Sequence, residues 1–219
     1  ATRECDPKGS LQFTIMGKAI SRVDIPAKVD GTANYGIDAH SEDMLYAAIR
    51  LAPVFGTKLV SVDAGDVLSR RGVKRIIELE DSVAVVADSY WRAKEALKGV
   101  KSQFESSDAD TTSSADLFAG FERSLAEDKN SKVLEIGDAE DAMDSASDVI
   151  EGNYTVPYLA HAAMEPMNCT VHLHDGIVEV WTGTQDALGI KGRVAKIAGV
   201  AEDDAIFHHS YLGGGFGRR

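Results

Sequence analysis

Cysteine is almost absent from the sequence: Cys5 and Cys169 are the two it has, too few for a disulfide framework and outside any CxxC spacing. No spacing supports a bridge between them, and cysteine usage leaves the cellular compartment open. No apolar stretch approaches the roughly 20 residues that cross a bilayer as a helix. Basic residues are also short, with 23 Lys and Arg against 35 Asp and Glu, a net charge of -12. A chain this acidic repels phosphate backbones and gives anionic lipid no polybasic handle, which argues against general nucleic-acid binding and electrostatic membrane attachment. An initiator Met and a signal-peptide pattern are missing at Ala1-Thr2-Arg3-Glu4, which leaves open a leader removed or never included. What is present is globular. With 44% hydrophobic and 26% charged residues, 20 Gly and 5 Pro, the composition excludes collagen, low complexity and an extended acidic tail.

Residues 1–21 read as a connector. Beyond them, hydrophobic patterning predicts strands over 44–51, 57–63, 72–79, 83–87 and 100–104. Between the last two, Ser89 offers an N-cap to a helix that begins at Tyr90 and is closed by Gly99. Strands alternating with a short helix over 22–105 describe one α+β unit. The Ser/Asp/Thr-rich stretch 105–116 is the best linker, and 106–130 reads as linker plus a helix carrying Leu117, Phe118 and Phe121. A second unit spans 131–219, with strands expected over 147–157, 168–174 and 177–182. Asp175-Gly176 between the last two signals a tight hairpin. Spacing predicts a helix over 187–198 with Gly199 as its C-cap, and 204–211 leads from there into a glycine-rich end. The fold class is therefore α+β, without an internal repeat.

That end, Gly213-Gly214-Gly215-Phe216-Gly217-Arg218-Arg219, is the most unusual feature. Glycine lets another group approach its backbone closely and tolerates positive φ, and successive N–H groups after a strand form concavities suited to anions or oxo groups. A tail without fixed structure explains the same composition equally well. Counted as GxGxxG from Gly213, Arg218 falls on the third glycine, and the lysine and hydroxyl of a P-loop are lacking, so generic nucleotide binding is disfavoured.

The histidines are ambiguous. His172 and His174, two apart on a predicted strand, could face one way as metal ligands do; a solvent-facing edge is favoured because the sequence places no third ligand. His208 and His209 are adjacent on a strand and point to opposite faces. No HExxH, EF-hand loop or GxSxG occurs. Cys169 reads as a buried small apolar residue, and acidic 138–148 as a solvated helical face. His161-Ala162-Ala163-Met164-Glu165-Pro166 sets a histidine and a carboxylate between two predicted strands, on the kind of loop where functional groups concentrate. A structural ion pair accounts for Glu165 as well as a substrate contact does, and a hydrolase using His161 and Glu165 requires the two to meet in a cleft. Gln185, after Trp181-Thr182-Gly183-Thr184, offers an amide that donates and accepts, or merely starts a helix.

Taken in order, His161…Met164-Glu165-Pro166, Trp181 to Gln185 and Gly213 to Gly217 resemble the molybdopterin-binding large subunit of the xanthine dehydrogenase/aldehyde oxidase family. Pro26 to Asp38 and Val83 to Trp91 resemble its α/β hammerhead domain, and the Asp88-Ser89-Tyr90-Trp91 step with the Phe216-Gly217-Arg218-Arg219 ending resembles the isoquinoline 1-oxidoreductase β-subunit branch. The resemblance implies a hammerhead-like domain at 22–105 followed by part of a molybdopterin-binding domain at 131–219. It implies cofactor binding by Gln185, Gly214, Gly215, Phe216, Gly217 and Arg218, with His161 and Glu165 lining a substrate pocket. The cofactor would be molybdopterin, as the cytosine dinucleotide form, with no direct metal ligand from the protein.

The implied reaction is hydroxylation of an N-heteroaromatic or aldehyde substrate with oxygen from water. Implied partners are the remainder of the large subunit, a small subunit bearing iron–sulfur clusters, and a cytochrome acceptor. The implied location is the periplasm, with cytoplasm as the alternative. The family's catalytic glutamate has no counterpart here, so no catalytic residue is expected in this chain, which reads as a fragment inactive alone. The rival expectation is a non-catalytic interaction or scaffold module sharing the hammerhead fold.

Overall fold

Ser82 to Ala87 is apolar throughout except for its first residue, a pattern that suits a strand covered on both faces. In a computed structural model, which describes residues 8–107, 111–127, 134 and 136–219, that strand is the middle of a sheet. Among the described residues the elements run α1 (Ile25–Asp30), β1 (Tyr46–Leu51), β2 (Leu59–Asp63), β3 (Val73–Glu78), β4 (Ser82–Ala87), α2 (Tyr90–Gly99), β5 (Lys101–Phe104), α3 (Ser114–Ala126), α4 (Ala139–Asp144), β6 (Thr170–His174), β7 (Ile177–Thr182), α5 (Ala187–Ala198) and β8 (Ala205–His209). Helices and mixed sheets together are the expected α+β class.

Contacts divide the chain into Ser41–Leu159 and a second unit that joins the segment ending at His40 to Ala160–Arg219. The sequence boundaries at 22–105 and 131–219 follow local pattern only; residues 22–40 group with the C-terminal segment. The reason is long-range bonding. Tyr211 donates its N–H to the Asn34 carbonyl at 3.1 Å, Tyr35 and Tyr211 form a parallel bridge, and Lys28 Nζ sits 4.9 Å over the Tyr211 ring. The expected start of the second unit at 131 lies outside the described residues, as does Cys5.

In the unit Ser41–Leu159, β4 pairs antiparallel with β1 on one side and β3 on the other. Ser89 caps α2 by accepting the Arg92 N–H, and Ala93, Ala96 and Leu97 then face Ala48, Val83, Val85 and Ala87 of the sheet in one apolar core. Arg50 reaches from β1 to the end of this helix, donating to the carbonyls of Leu97 at 2.8 Å and Val100 at 2.7 Å. Both carbonyls lie at the C-terminal end of the helix, where a cation suits the dipole. Arg50→Ala is expected to cost roughly 1.5–3 kcal/mol, the range for a hydrogen bond to a charged group, read as a lower urea midpoint at unchanged slope.

The strand expected over 147–157 does not form. Ile150, Tyr154 and Val156 alternate with polar neighbours but are 98%, 91% and 79% exposed, and no strand among the described residues pairs with them. Alternation sets which face a strand shows, yet only a neighbouring strand satisfies its backbone. α1 was not anticipated, although Pro26 in its first turn and Gly31 in the left-handed conformation after its end are ordinary helix signals.

Candidate cofactor site

The unit containing the glycine-rich end is built on β6, β7 and β8. The β6–β7 hairpin turns at Asp175 (φ 47) and Gly176 (φ 79), both left-handed as a two-residue turn of the I′ type demands. β7 and β8 are parallel, so α5 makes the crossover between them. Val178 and Val180 of β7, with Ala205 of β8, form the core with Ala195 of α5. Because Thr182 pairs with His209, the segments following β7 and β8 emerge at the same edge. Those segments are 183–186 and 210–219, which hold Gln185 and the glycine corner. Carboxyl ends of adjacent parallel strands are where open α/β sheets bind ligands.

The glycine corner has a fixed path. Gly213 donates its N–H to Glu165 Oε2 at 2.9 Å and accepts from the Glu165 N–H at 3.1 Å, while Gly217 donates to Gln185 Oε1 at 3.0 Å. Gln185 N–H in turn donates to the Arg219 carbonyl at 3.0 Å. Phe216, at φ 53, takes a left-handed conformation that a side chain rarely adopts, and stands 72% exposed between Gly215 and Gly217. A Cβ on Gly215 would lie 2.6 Å from Gln185 Oε1, so the backbone lies directly against that amide. With Oε1 committed to Gly217, the Gln185 NH2 is left as a donor on an exposed residue.

Beneath the corner, Glu165 is an anchor. Its Oε1 accepts from Ile37 N–H at 3.1 Å and Asn168 Nδ2 at 2.8 Å; its Oε2 accepts from Gly213 N–H and Arg219 Nη1. Arg219 also donates to the carbonyls of Glu165 and Pro166. The two side chains of this ion pair are only 4% and 6% exposed. Glu165 therefore has no oxygen free for a substrate, and the structural ion pair is the reading the geometry supports. His161 is exposed, and no hydrogen bond or ion pair joins it to Glu165, so the pair does not meet in a hydrolytic cleft. Cys169 is exposed rather than buried, because it precedes β6 outside the core.

Burial pushes the Glu165 carboxyl up, but the hydrogen bonds from Asn168, Gly213, Arg219 and Ile37 together outweigh it and hold it below its ordinary 4.5. A carboxylate favoured by the fold contributes stability above the unfolded value and loses it as pH falls through the lowered one. Urea midpoints are expected to drop as pH is lowered below 4.5, and this component is expected to vanish in Glu165→Gln. Equal slopes in both proteins would contradict it.

Beside the corner, Asn168, Thr184, Asp186, Arg193, Arg218 and Arg219 are among the residues that line a cavity of about 290 Å³, where Arg193 is paired with Asp186 at 3.0 Å. Among the described residues nothing bonds the Arg218 guanidinium, and the buried Asn168 Oδ1 has no donor. A glycine cradle, an outward amide and an exposed guanidinium are a donor set that fits a large anionic group; Asn168 Oδ1 instead faces Gly36, where an added Cβ would lie 2.6 Å away.

Fold and site together bring the glycine corner and the Gln185 amide to one parallel strand edge. Residues 124–219 match the molybdopterin cofactor-binding domain, and the chain is similar to molybdopterin-binding subunits of the xanthine dehydrogenase/aldehyde oxidase family. It is 34% identical over 97% of its length to the membrane-bound aldehyde dehydrogenase [pyrroloquinoline-quinone] of Gluconacetobacter polyoxogenes, and 32% identical over 94% to the isoquinoline 1-oxidoreductase subunit beta of Brevundimonas diminuta. It spans only 29% and 28% of those proteins. Quinoline 2-oxidoreductase from Pseudomonas putida 86 shares the fold with a TM-score of 0.64 at 18% identity, over 92% of this chain and 31% of that one. The aldehyde oxidoreductase of Desulfovibrio gigas does so at 0.61 and 18%, over 86% and 26%.

Proposed function

We propose that this chain forms one wall of the cofactor site in a molybdenum hydroxylase that oxidises an N-heteroaromatic or aldehyde substrate with oxygen from water. The observation that carries the reading is the glycine corner folded onto the Gln185 amide beside an arginine-lined cavity. Bound molybdopterin supplies the two-electron redox and oxygen-transfer chemistry.

This chain's own residues bind and orient. Gln185 donates from its NH2 toward an oxygen of the group, because its carbonyl is already engaged by Gly217. Gly214 and Gly215 keep side chains out of the approach, the peptide units around Phe216 and Gly217 lie along it, and Arg218 neutralises negative charge at the cavity. Glu165 and Arg219 hold this arrangement in place from below. A cytosine dinucleotide form of the cofactor matches the need for a guanidinium at a phosphate.

Residues 22–105 supply the hammerhead-like part. The remainder of the large subunit, a small iron–sulfur subunit and a cytochrome acceptor complete the path for electrons, in the periplasm. Asp186, the carboxylate lining the cavity, is held by Arg193 and by the Gly189 N–H, so no base is assigned to this chain and the isolated chain is expected to be inactive. The match of residues 124–219 to the molybdopterin cofactor-binding domain does not favour the alternative of a scaffold module without a cofactor.

The test is molybdenum content in the full-length large subunit co-expressed with its partner. Gly215→Ala is expected to lower molybdenum per chain at least several-fold, while costing only about 1 kcal/mol in unfolding for the lost Gly217 hydrogen bond. Full occupancy in that variant, or in Gln185→Ala, would overturn the reading.

A further inference from the structure

The sheet has a second face, turned away from α5. Register places His172 of β6 opposite Glu179 of β7, and Trp181 of β7 opposite His208 of β8. His174, Glu179 and His208 thus share this face with His172, on three adjacent strands. One ligand atom from each of His172, His174 and Glu179 lies within 4.8 Å of the other two. Glu179 Oε1 meets His174 Nε2 at 2.8 Å, while Oε2 meets His208 Nε2 at 2.7 Å. The His208 ring is stacked on Trp181, with centroids 4.5 Å apart and planes 6° from parallel.

We propose that His172, His174 and Glu179 form a binding site for a divalent transition-metal ion of the zinc class, separate from the cofactor wall. Two imidazoles and one carboxylate are a donor set for borderline ions rather than for calcium or magnesium. In a tetrahedral zinc sphere with bonds of about 2.0–2.2 Å, neighbouring ligand atoms stand about 3.3–3.5 Å apart. The three ligand atoms already lie within 4.8 Å of one another, so closing on an ion asks for a shift of side chains rather than of strands, with His174 Nε2 and Glu179 Oε1 parting from 2.8 Å. The fourth position is left to water or to a donor from outside. His208 is the positioning residue: it holds the second oxygen of Glu179, and its own ring is fixed by Trp181. Such an outer contact orients a ligating carboxylate and raises affinity. The strands that bring these residues together are rigidly paired, so the site is largely formed before the ion arrives.

The test uses the untagged full chain, stripped with chelator and titrated with zinc chloride by calorimetry and by thermal unfolding. The expected result is one saturable zinc per chain and a melting temperature that rises with zinc, since an ion binding only the folded state stabilises it. His172→Ala, at an exposed position that does not threaten folding, and the His172→Ala/His174→Ala pair are expected to abolish saturable binding. His208→Ala is expected to weaken it roughly 10- to 100-fold. Cys169→Ser, next to β6, is expected to leave it unchanged. No saturable binding to the wild-type chain, zinc retained by folded His172→Ala, or zinc lost in Cys169→Ser would each overturn the proposal.

Discussion

Glu165→Ala is expected to lower the unfolding free energy of the unit holding the glycine corner by about 3–5 kcal/mol, the cost of removing one partner from a buried ion pair. The loss has several parts. Arg219, 4% exposed at its side chain, keeps a guanidinium without its counter-charge. The N–H groups of Ile37 and Gly213 lose their acceptor, and Asn168 Nδ2 keeps only the Pro166 carbonyl. Against a domain stability of roughly 5–15 kcal/mol, this is a large fraction. Arg219→Ala is expected to be nearly as costly, because Glu165 then retains a buried charge without its cation. Glu165→Gln keeps the shape and one acceptor oxygen, and is expected to fall between wild type and alanine. Urea unfolding at pH 7 measures all three; a loss under about 1 kcal/mol in Glu165→Ala would place this pair among surface contacts.

Gly213→Ala is the second large effect. A methyl group there would overlap Glu165 Cβ and lie 3.3 Å from Glu165 Cα. Neither atom can withdraw, since Glu165 is tied by its backbone to Gly213 and by its carboxylate to four donors. Overpacking of this kind costs about 1–3 kcal/mol. Gly9→Ala is the control: nothing lies within 4 Å of its added Cβ, and its φ of -65° suits any residue. It is expected to change stability by less than about 0.5 kcal/mol. Equal effects at both positions would mean that the glycine corner does not sit on Glu165.

Local signals in the sequence carried far. The apolar run of β4, the Ser89 cap, the Asp175-Gly176 hairpin and Gly199 at φ 70 after α5 all act within a few residues, where period and turn chemistry decide the outcome. The glycine corner and Gln185 were legible as chemistry for a similar reason: glycine has few reasons to recur, and an amide after a strand end is conspicuous. What stayed hidden is what joins distant segments. Ile37 and Glu165 are 128 residues apart, Glu165 and Arg219 are 54 apart, and Glu179 and His208 are 29 apart. No periodicity encodes such pairings; the last of them is set by the parallel register of β7 and β8. The same limit left two roles open in the sequence. Glu165 on its loop looked available to substrate until Arg219 and Gly213 closed over it. His172 and His174 lacked a third ligand until β7 brought Glu179 alongside. The stretch 147–157 is the reverse case, a local alternation with no neighbouring strand to complete it.

The glycine corner and the Gln185 amide are proposed to form one wall against a molybdenum cofactor. Anomalous scattering at the molybdenum edge from crystals of the cofactor-loaded full-length subunit tests it most directly. The metal peak is expected beside the Gln185 side chain and the backbone of Gly215 to Gly217; a peak remote from both would contradict the account.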